Sequence, residues 1–298
     1  ICQMLLDKGA DVNQRSEGMV FDSGASSVGT TPLISACGNG HLKVVNVLLA
    51  VDGIDVNYRK DNGSTALTIA CGNGRWKVVE MLLAVDGIQV NQADDKGYAP
   101  LNVASQEGHS KVVKMLLAMD GIQVNQADGN RRAPLYVACQ KGHSKVVRML
   151  LAVDGIQVNQ ATNKGWTPLN SACFNGHSEV AKMLLAVDDI QVNQATNKGT
   201  TPLNIACQKG HSKVVKMLLA VDGIQVNQAS NHEVTPLYMA CQKGHLKVVN
   251  MLLAVEGIQV NQANNKGTTP LSMACLQGHS KVVNMLLAVD GIQVNQAD

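Results

Sequence analysis

Histidine and cysteine recur in this chain at fixed intervals, and both are metal-ligating, chemically active side chains. The recurring histidines are His41, His109, His143, His177, His211, His245 and His279, with His232 standing apart. The cysteines are Cys37, Cys71, Cys139, Cys173, Cys207, Cys241 and Cys275, with Cys2 standing apart. Both series step by 34 residues or a multiple of it. Equivalent positions in stacked helical units lie about 8–10 Å apart. Zinc ligands sit about 2.0–2.3 Å from their metal, so neighbours in either ladder cannot share an ion. A disulfide needs Cα atoms within about 7 Å, so the cysteines are expected as reduced, buried, small apolar side chains. Reduced thiols suit a reducing compartment, the cytoplasm or the nucleus. The histidines are expected to be hydrogen-bonded at helix starts. No Ser, Cys or Thr has a non-repeated His and carboxylate beside it in sequence, and no Gly-x-x-x-x-Gly-Lys loop occurs. The sequence therefore predicts no enzyme, no metal and no cofactor.

The elements that carry these ladders follow from the unit itself. Thr201-Pro-Leu-Asn-Ile-Ala-Cys-Gln-Lys-Gly-His-Ser-Lys-Val-Val-Lys-Met-Leu-Leu-Ala220 is nearly the average copy. The second residue of each copy falls at 32, 66, 100, 134, 168, 202, 236 and 270. A fixed period of this size denotes stacked repeats. Thr201 suits a helix N-cap and Pro202 the first helical position. Leu203, Ala206 and Cys207 form an apolar face, and Gly210 ends the helix. A second helix is predicted over 212–220, with Val214, Val215, Met217, Leu218 and Leu219 as its apolar stripe. Asp222-Gly223 turns the chain, Ile224 to Asn227 reads as extended, and a polar loop leads to the next copy. Helices this short are unstable alone, so each pair must bury its stripes against its neighbours.

Composition agrees. Apolar residues are 45% of the 298 and aromatics only 3%, which calls for an aliphatic core. The net charge of +2 is too near neutral to favour nucleic acid or an anionic membrane as the main partner. No apolar run approaches the roughly 20 residues of a membrane helix. Lys43, Lys77, Lys111, Lys145, Lys213, Lys247 and Lys281 share one position on the second helix. Asp52, Asp86, Asp120, Asp154, Asp188, Asp222, Glu256 and Asp290 share the following turn. Both ladders read as solvated faces. A basic track for an acidic partner or nucleic acid is the other reading of the lysines, and it predicts binding that weakens with salt.

Thr-Pro-Leu-x-x-Ala, Gly-His, Val-Val-x-x-Leu-Leu and Val-Asn together resemble the ankyrin repeat, over nearly the whole chain. The resemblance implies an all-α solenoid of antiparallel helix pairs joined by extended, hairpin-like loops. It implies a non-enzymatic protein-interaction scaffold, gripping a protein or peptide partner in a concave groove of loop tips and inner helices. It also marks Asn57, Asn91, Asn125, Asn159, Asn193, Asn227, Asn261 and Asn295 as resembling hydroxylation targets. The family's usual unit is 33 residues. The extra residue here falls in the turn Ala220 to Ile224, and the family's His after Thr-Pro-Leu is replaced, for example by Asn204. The other reading is a structural spacer within a larger protein bearing a channel, kinase or other module.

Departures from the repeat divide the chain. Residues 1–13 are a partial unit, 14–29 an extended Ser/Gly-rich loop with Met19-Val20-Phe21 at its tip, and 30–298 an array of eight units. Ala99 and Ala133 replace the capping threonine. Val282 to Ala288 is as apolar as internal copies, which reads as a fragment of a longer array or a chain without its cap. The first-helix positions of Asn204 and Gln208 are expected to be open. Tyr136 and Phe174 occupy two such positions. Tyr98, Arg132 and Trp166 share the loop position two before Pro, and Arg131 lies beside it. Tyr, Trp and Arg dominate binding energy at interfaces. Tyr98, Arg131, Arg132, Tyr136, Trp166 and Phe174 are therefore predicted to form the partner-binding patch of a monomer.

Overall fold

A computed structural model describes residues 11–16 and 29–294. The predicted Met19-Val20-Phe21 tip and Cys2 lie outside the described residues. The neck of that loop is closed by Ser16 and Thr30, whose N–H and C=O bond at 3.0 Å, and by Gly29 N–H to Ser16 O at 3.1 Å.

Among the described residues there are sixteen α-helices and no strand. The chain divides into two compact units, residues 1–156 and 157–298. The first unit holds α1 (Pro32–Asn39), α2 (Leu42–Leu49), α3 (Ala66–Gly72), α4 (Trp76–Leu83), α5 (Pro100–Gln106), α6 (Ser110–Leu117), α7 (Pro134–Lys141) and α8 (Ser144–Leu151). The second holds α9 (Pro168–Asn175), α10 (Ser178–Leu185), α11 (Pro202–Lys209), α12 (Ser212–Leu219), α13 (Pro236–Lys243), α14 (Leu246–Leu253), α15 (Pro270–Leu276) and α16 (Ser280–Leu287). Within each unit, odd-numbered helices pack side by side, and each packs on the even-numbered helix that follows it. The architecture is an all-α repeat solenoid of paired helices.

Local chemistry sets each boundary. In α11 the Thr201 hydroxyl accepts from Asn204 N at 3.2 Å, Pro202 opens the helix, and Gly210 closes it at φ 73°. A Cβ on Gly210 would lie 2.6 Å from the His245 ring, so this glycine serves both a left-handed φ and a close approach by the next repeat. Leu203, Ala206, Cys207, Val214, Val215 and Leu218 are all buried. Each fully buried Val or Leu is worth about 1.5–3 kcal/mol. That burial, supplied by neighbouring pairs, makes up for helices too short to stand alone.

Two expectations about the unit are corrected. Val226 and Asn227 lie in a turn rather than an extended run, with Gln228 N–H bonded to Gln225 O at 3.2 Å. The position of Asn204 is not open: Asn102, Asn170 and Asn204 are fully buried. Asn204 Oδ1 accepts from the Thr201 N–H and hydroxyl at 3.0 and 2.6 Å, and its Nδ2 donates to Val234 O in the next repeat at 3.3 Å. Asparagine thus supplies a capping box and a link between repeats at the place where the resemblance has histidine.

Six cysteines are buried thiols, as expected, but Cys275 is exposed. No further odd-numbered helix covers it among the described residues. Burial pushes the Cys37 and Cys241 thiols up from 9.0 to about 12.

Candidate functional site

Three ladders of hydrogen bonds join successive repeats and fix their surfaces. The first is histidine. The Nε2 atoms of His109, His143, His211, His245 and His279 lie 2.9–3.1 Å from the carbonyl oxygens of Gly72, Gln106, Phe174, Gln208 and Gln242. Each ring begins one even-numbered helix and satisfies the frayed end of the preceding odd-numbered helix, where orphan carbonyls need donors. Arg75, which replaces one histidine, keeps the bond through Nε to Gly38 O at 3.3 Å. Among the described residues no group of three or more His, Cys, Asp or Glu side chains is arranged to hold a metal.

The second ladder is the Val-Asn asparagine. Asn193 Nδ2 donates to Gly223 O at 2.8 Å, and its Oδ1 accepts from Gln225 N at 3.0 Å. Asn57, Asn91, Asn159, Asn227 and Asn261 make the same pair of bonds to the following turn. Asn295 lies outside the described residues.

The third ladder is the loop tip. Each loop closes on itself, as in Asp94 N–H to Tyr98 O at 3.1 Å and Thr196 N–H to Thr200 O at 3.0 Å. Within each unit successive tips are joined by one backbone bond, such as Gly129 N to Lys96 O at 2.8 Å and Asn231 N to Lys198 O at 3.1 Å. The tips therefore present one variable side chain per repeat from a rigid base. Glycine occupies the left-handed corner at Gly63, Gly97, Gly165, Gly199 and Gly267, but Arg131 and Glu233 hold it at φ 59° and 57°. Left-handed backbone costs an L-residue roughly 1–2 kcal/mol, and such strain gathers at functional positions.

The six predicted contact residues fare differently. In the first unit Tyr98 and Arg132, on successive tips, face each other. The Arg132 guanidinium carbon lies 5.7 Å from the Tyr98 ring centroid, and its Nη2 donates to the Tyr98 hydroxyl. Nε and Nη2 of Arg132 also reach Asp128 Oδ2 at 2.7 and 2.6 Å. Asp128 Oδ1 accepts from the N–H groups of Asn130 and Arg132 at 2.9 and 2.8 Å. The Asp128 side chain is only 1% exposed, and these four bonds compensate its burial. Arg132 is thus engaged inside its own loop. Arg131 is exposed. Tyr136 is 6% exposed and belongs to the interior, because its helix position is the buried one filled elsewhere by Asn204.

In the second unit Trp166, from a loop tip, and Phe174, from α9, meet edge to face, with centroids 5.4 Å apart and planes at 79°. Phe174 is 38% exposed. Lys209 of α11 lies over the Phe174 ring, Nζ 4.0 Å from the centroid. Such cation–π contacts are worth about 0.5–1 kcal/mol when exposed. Sequence reasoning missed Lys209 and Asp128. Lys209 sits at a position that is polar in every copy, from Asn39 to Gln277, and so does not stand out, and Asp128 resembles an ordinary turn residue until Arg132 is placed above it.

Fold and site together define a repeat protein of stacked helix pairs, in which each repeat contributes one loop tip and one first helix. The family model described as ankyrin repeats (3 copies) matches at residues 1–94, 52–128, 87–162, 121–196, 153–230, 186–262 and 223–298. The chain belongs to the ankyrin repeat family, whose members are generally protein-interaction modules. A search of curated proteins gave no match. No helix among the described residues is long and apolar enough to cross a membrane.

Proposed function

We propose that this chain is a non-enzymatic scaffold that binds a protein or peptide partner along the groove formed by loop tips and first helices. The array from residue 30 onward is the binding module. The observation that carries this reading is the pairing of half-buried Trp166 with exposed Phe174, under Lys209. In a chain with 3% aromatic residues, two large rings meet where most copies carry small or polar side chains. Rigid aromatic anchors of this kind supply large contact area at low entropic cost. Arg131 adds a second exposed anchor, held in a left-handed conformation that glycine adopts without strain. Tyr98 and Arg132 act by stiffening their loop tips, and Tyr136 by filling the core.

The test is affinity capture from the protein's native lysate, comparing wild type with Trp166→Ala/Phe174→Ala and with Arg131→Ala. Far-UV circular dichroism and urea unfolding establish that each variant is folded. The reading expects the double variant to lose a specific partner that wild type retains. A folded double variant capturing the same proteins equally well overturns the reading and favours a structural spacer.

A further inference from the structure

We infer that the groove-side surface of the second unit takes an extended acidic peptide segment, with an apolar side chain seated against Trp166 and Phe174. This inference rests on the groove reading above and specifies its partner.

Charge on this surface is one-sided. On the loop tips and first helices of residues 157–294, Lys164, Lys198, Lys209, Lys243 and Lys266 are all exposed. The single acid there is Glu233. The unit's other described acids lie elsewhere: Glu179 is on α10, and Asp188, Asp189, Asp222, Glu256 and Asp290 are in the turns that follow the second helices. No ion pair neutralises these five lysines among the described residues.

The same surface of the first unit is different. Arg59, Lys60, Lys96, Arg131, Arg132 and Lys141 are interleaved with Asp61, Asp94, Asp95, Glu107 and Asp128. Several of those charges are internally matched, as in Arg59–Asp95 at 2.8 Å and Arg132–Asp128 at 2.6 Å. The excess of positive over negative charge is thus larger on the second unit, five lysines against one acid, than on the first, six bases against five acids.

Geometry favours a peptide over a nucleic acid. Three of the unit's four loop tips carry a lysine at the same position, Lys164, Lys198 and Lys266, with His232 in the remaining one, and the first three loops are joined in series through Asn197 N to Lys164 O and Asn231 N to Lys198 O, both 3.1 Å. Stacked helices sit about 8–10 Å apart. An extended peptide advances about 3.3 Å per residue, so a carboxylate at every third position keeps step with the lysines. Each strand of a B-form duplex carries a charge about every 3.4 Å along the axis and would leave roughly two of three phosphates unmatched. Lys209 links charge and anchor, because its ammonium lies over the Phe174 ring while remaining exposed to an incoming carboxylate.

The test uses the full chain and a fluorescein-labelled peptide of about twelve residues, with glutamate at every third position and one central leucine, read by fluorescence anisotropy. Wild type is expected to bind it and to weaken by about tenfold or more in Lys198→Glu/Lys209→Glu/Lys243→Glu. Glu233→Gln is expected to tighten binding by about two- to fivefold, since it removes the only opposing charge. Trp166→Ala/Phe174→Ala is expected to weaken it, and more so than it weakens a leucine-free peptide. No binding by wild type, or equal binding by the folded charge-reversal variant, overturns the acidic partner. The groove reading survives that failure if native capture still depends on Trp166 and Phe174. An oligo-dT strand that binds more tightly than the peptide, with the same lysine dependence, overturns the peptide assignment in favour of nucleic acid.

Discussion

Asn102 lies three residues after Ala99, and its buried Oδ1 has no hydrogen-bond donor, although its Nδ2 donates to Arg132 O at 2.7 Å. In the second unit the equivalent oxygen of Asn204 is met by the Thr201 hydroxyl at 2.6 Å. Replacing a capping threonine by alanine has therefore cost α5 both a cap and the partner of a buried carboxamide.

Ala99→Thr is expected to stabilise the chain by about 1–2 kcal/mol, seen as a higher urea midpoint. Ala133→Thr is expected to gain less, about 0.5–1 kcal/mol, because Tyr136 offers only its backbone N–H to the new hydroxyl. Thr235 already serves Tyr238 N in this way at 3.1 Å. Equal gains at the two sites would argue against the orphaned oxygen.

Strain at the loop corners gives a second prediction. Glu233→Gly and Arg131→Gly should each stabilise by about 1 kcal/mol, measured by urea unfolding. Gly97→Ala should destabilise by more than 1 kcal/mol. Its Cβ would need φ 81° and would lie 2.8 Å from Gly129 N. A neutral Gly97→Ala would show that the loops yield more freely than their backbone bonds imply.

Removing a histidine should loosen the junction that it spans. His211→Ala leaves Phe174 O without its ring partner and is expected to cost about 1 kcal/mol. Amide exchange should quicken at the C-terminal end of α9. Arg75→His is expected to be nearly neutral, since Arg75 already bonds Gly38 O.

The buried thiols make stability fall in alkali. Cys37 and Cys241 ionise near 9.0 when unfolded but are raised to about 12 when folded. Between these values the unfolded chain has lost protons that the folded chain keeps, so rising pH favours unfolding. The term is absent below pH 9.0 and grows by up to about 1.4 kcal/mol per pH unit per thiol above it. Urea midpoints at pH 8 and pH 10.5 should separate, and the gap should shrink in Cys37→Ala/Cys241→Ala. At pH 8 Ellman's reagent should label exposed Cys275 quickly and the buried thiols only on unfolding. Cys275→Ser should abolish that rapid phase at this position.

The fold was readable because one signal was repeated eight times. Thr201, Pro202 and Gly210 stand where the observed helix begins and ends. The site was less readable, since a residue's place in the period does not say which neighbour it will meet. Asn204 and Tyr136 looked open on a helical wheel, yet both are buried. Arg132 looked like a free anchor, but its partner Asp128 appears only when its own loop closes, and Tyr98 only when successive loop tips are aligned. Trp166 and Phe174 were recognisable as large residues in unusual places, while their contact, eight positions apart, required the loop to fold back on its helix.

The asparagine ladder has a consequence for heredity. Asn57, Asn91, Asn159, Asn193, Asn227 and Asn261 each reach forward about one repeat and bond to backbone atoms, such as Gly223 O and Gln225 N for Asn193. A junction of this kind does not depend on the side chains of the copy that follows. Unequal crossing-over that adds or removes one whole copy would join old partners to new ones without leaving a bond unmade. The scaffold can therefore lengthen or shorten in single genetic steps, while the side chains at its loop tips diverge separately.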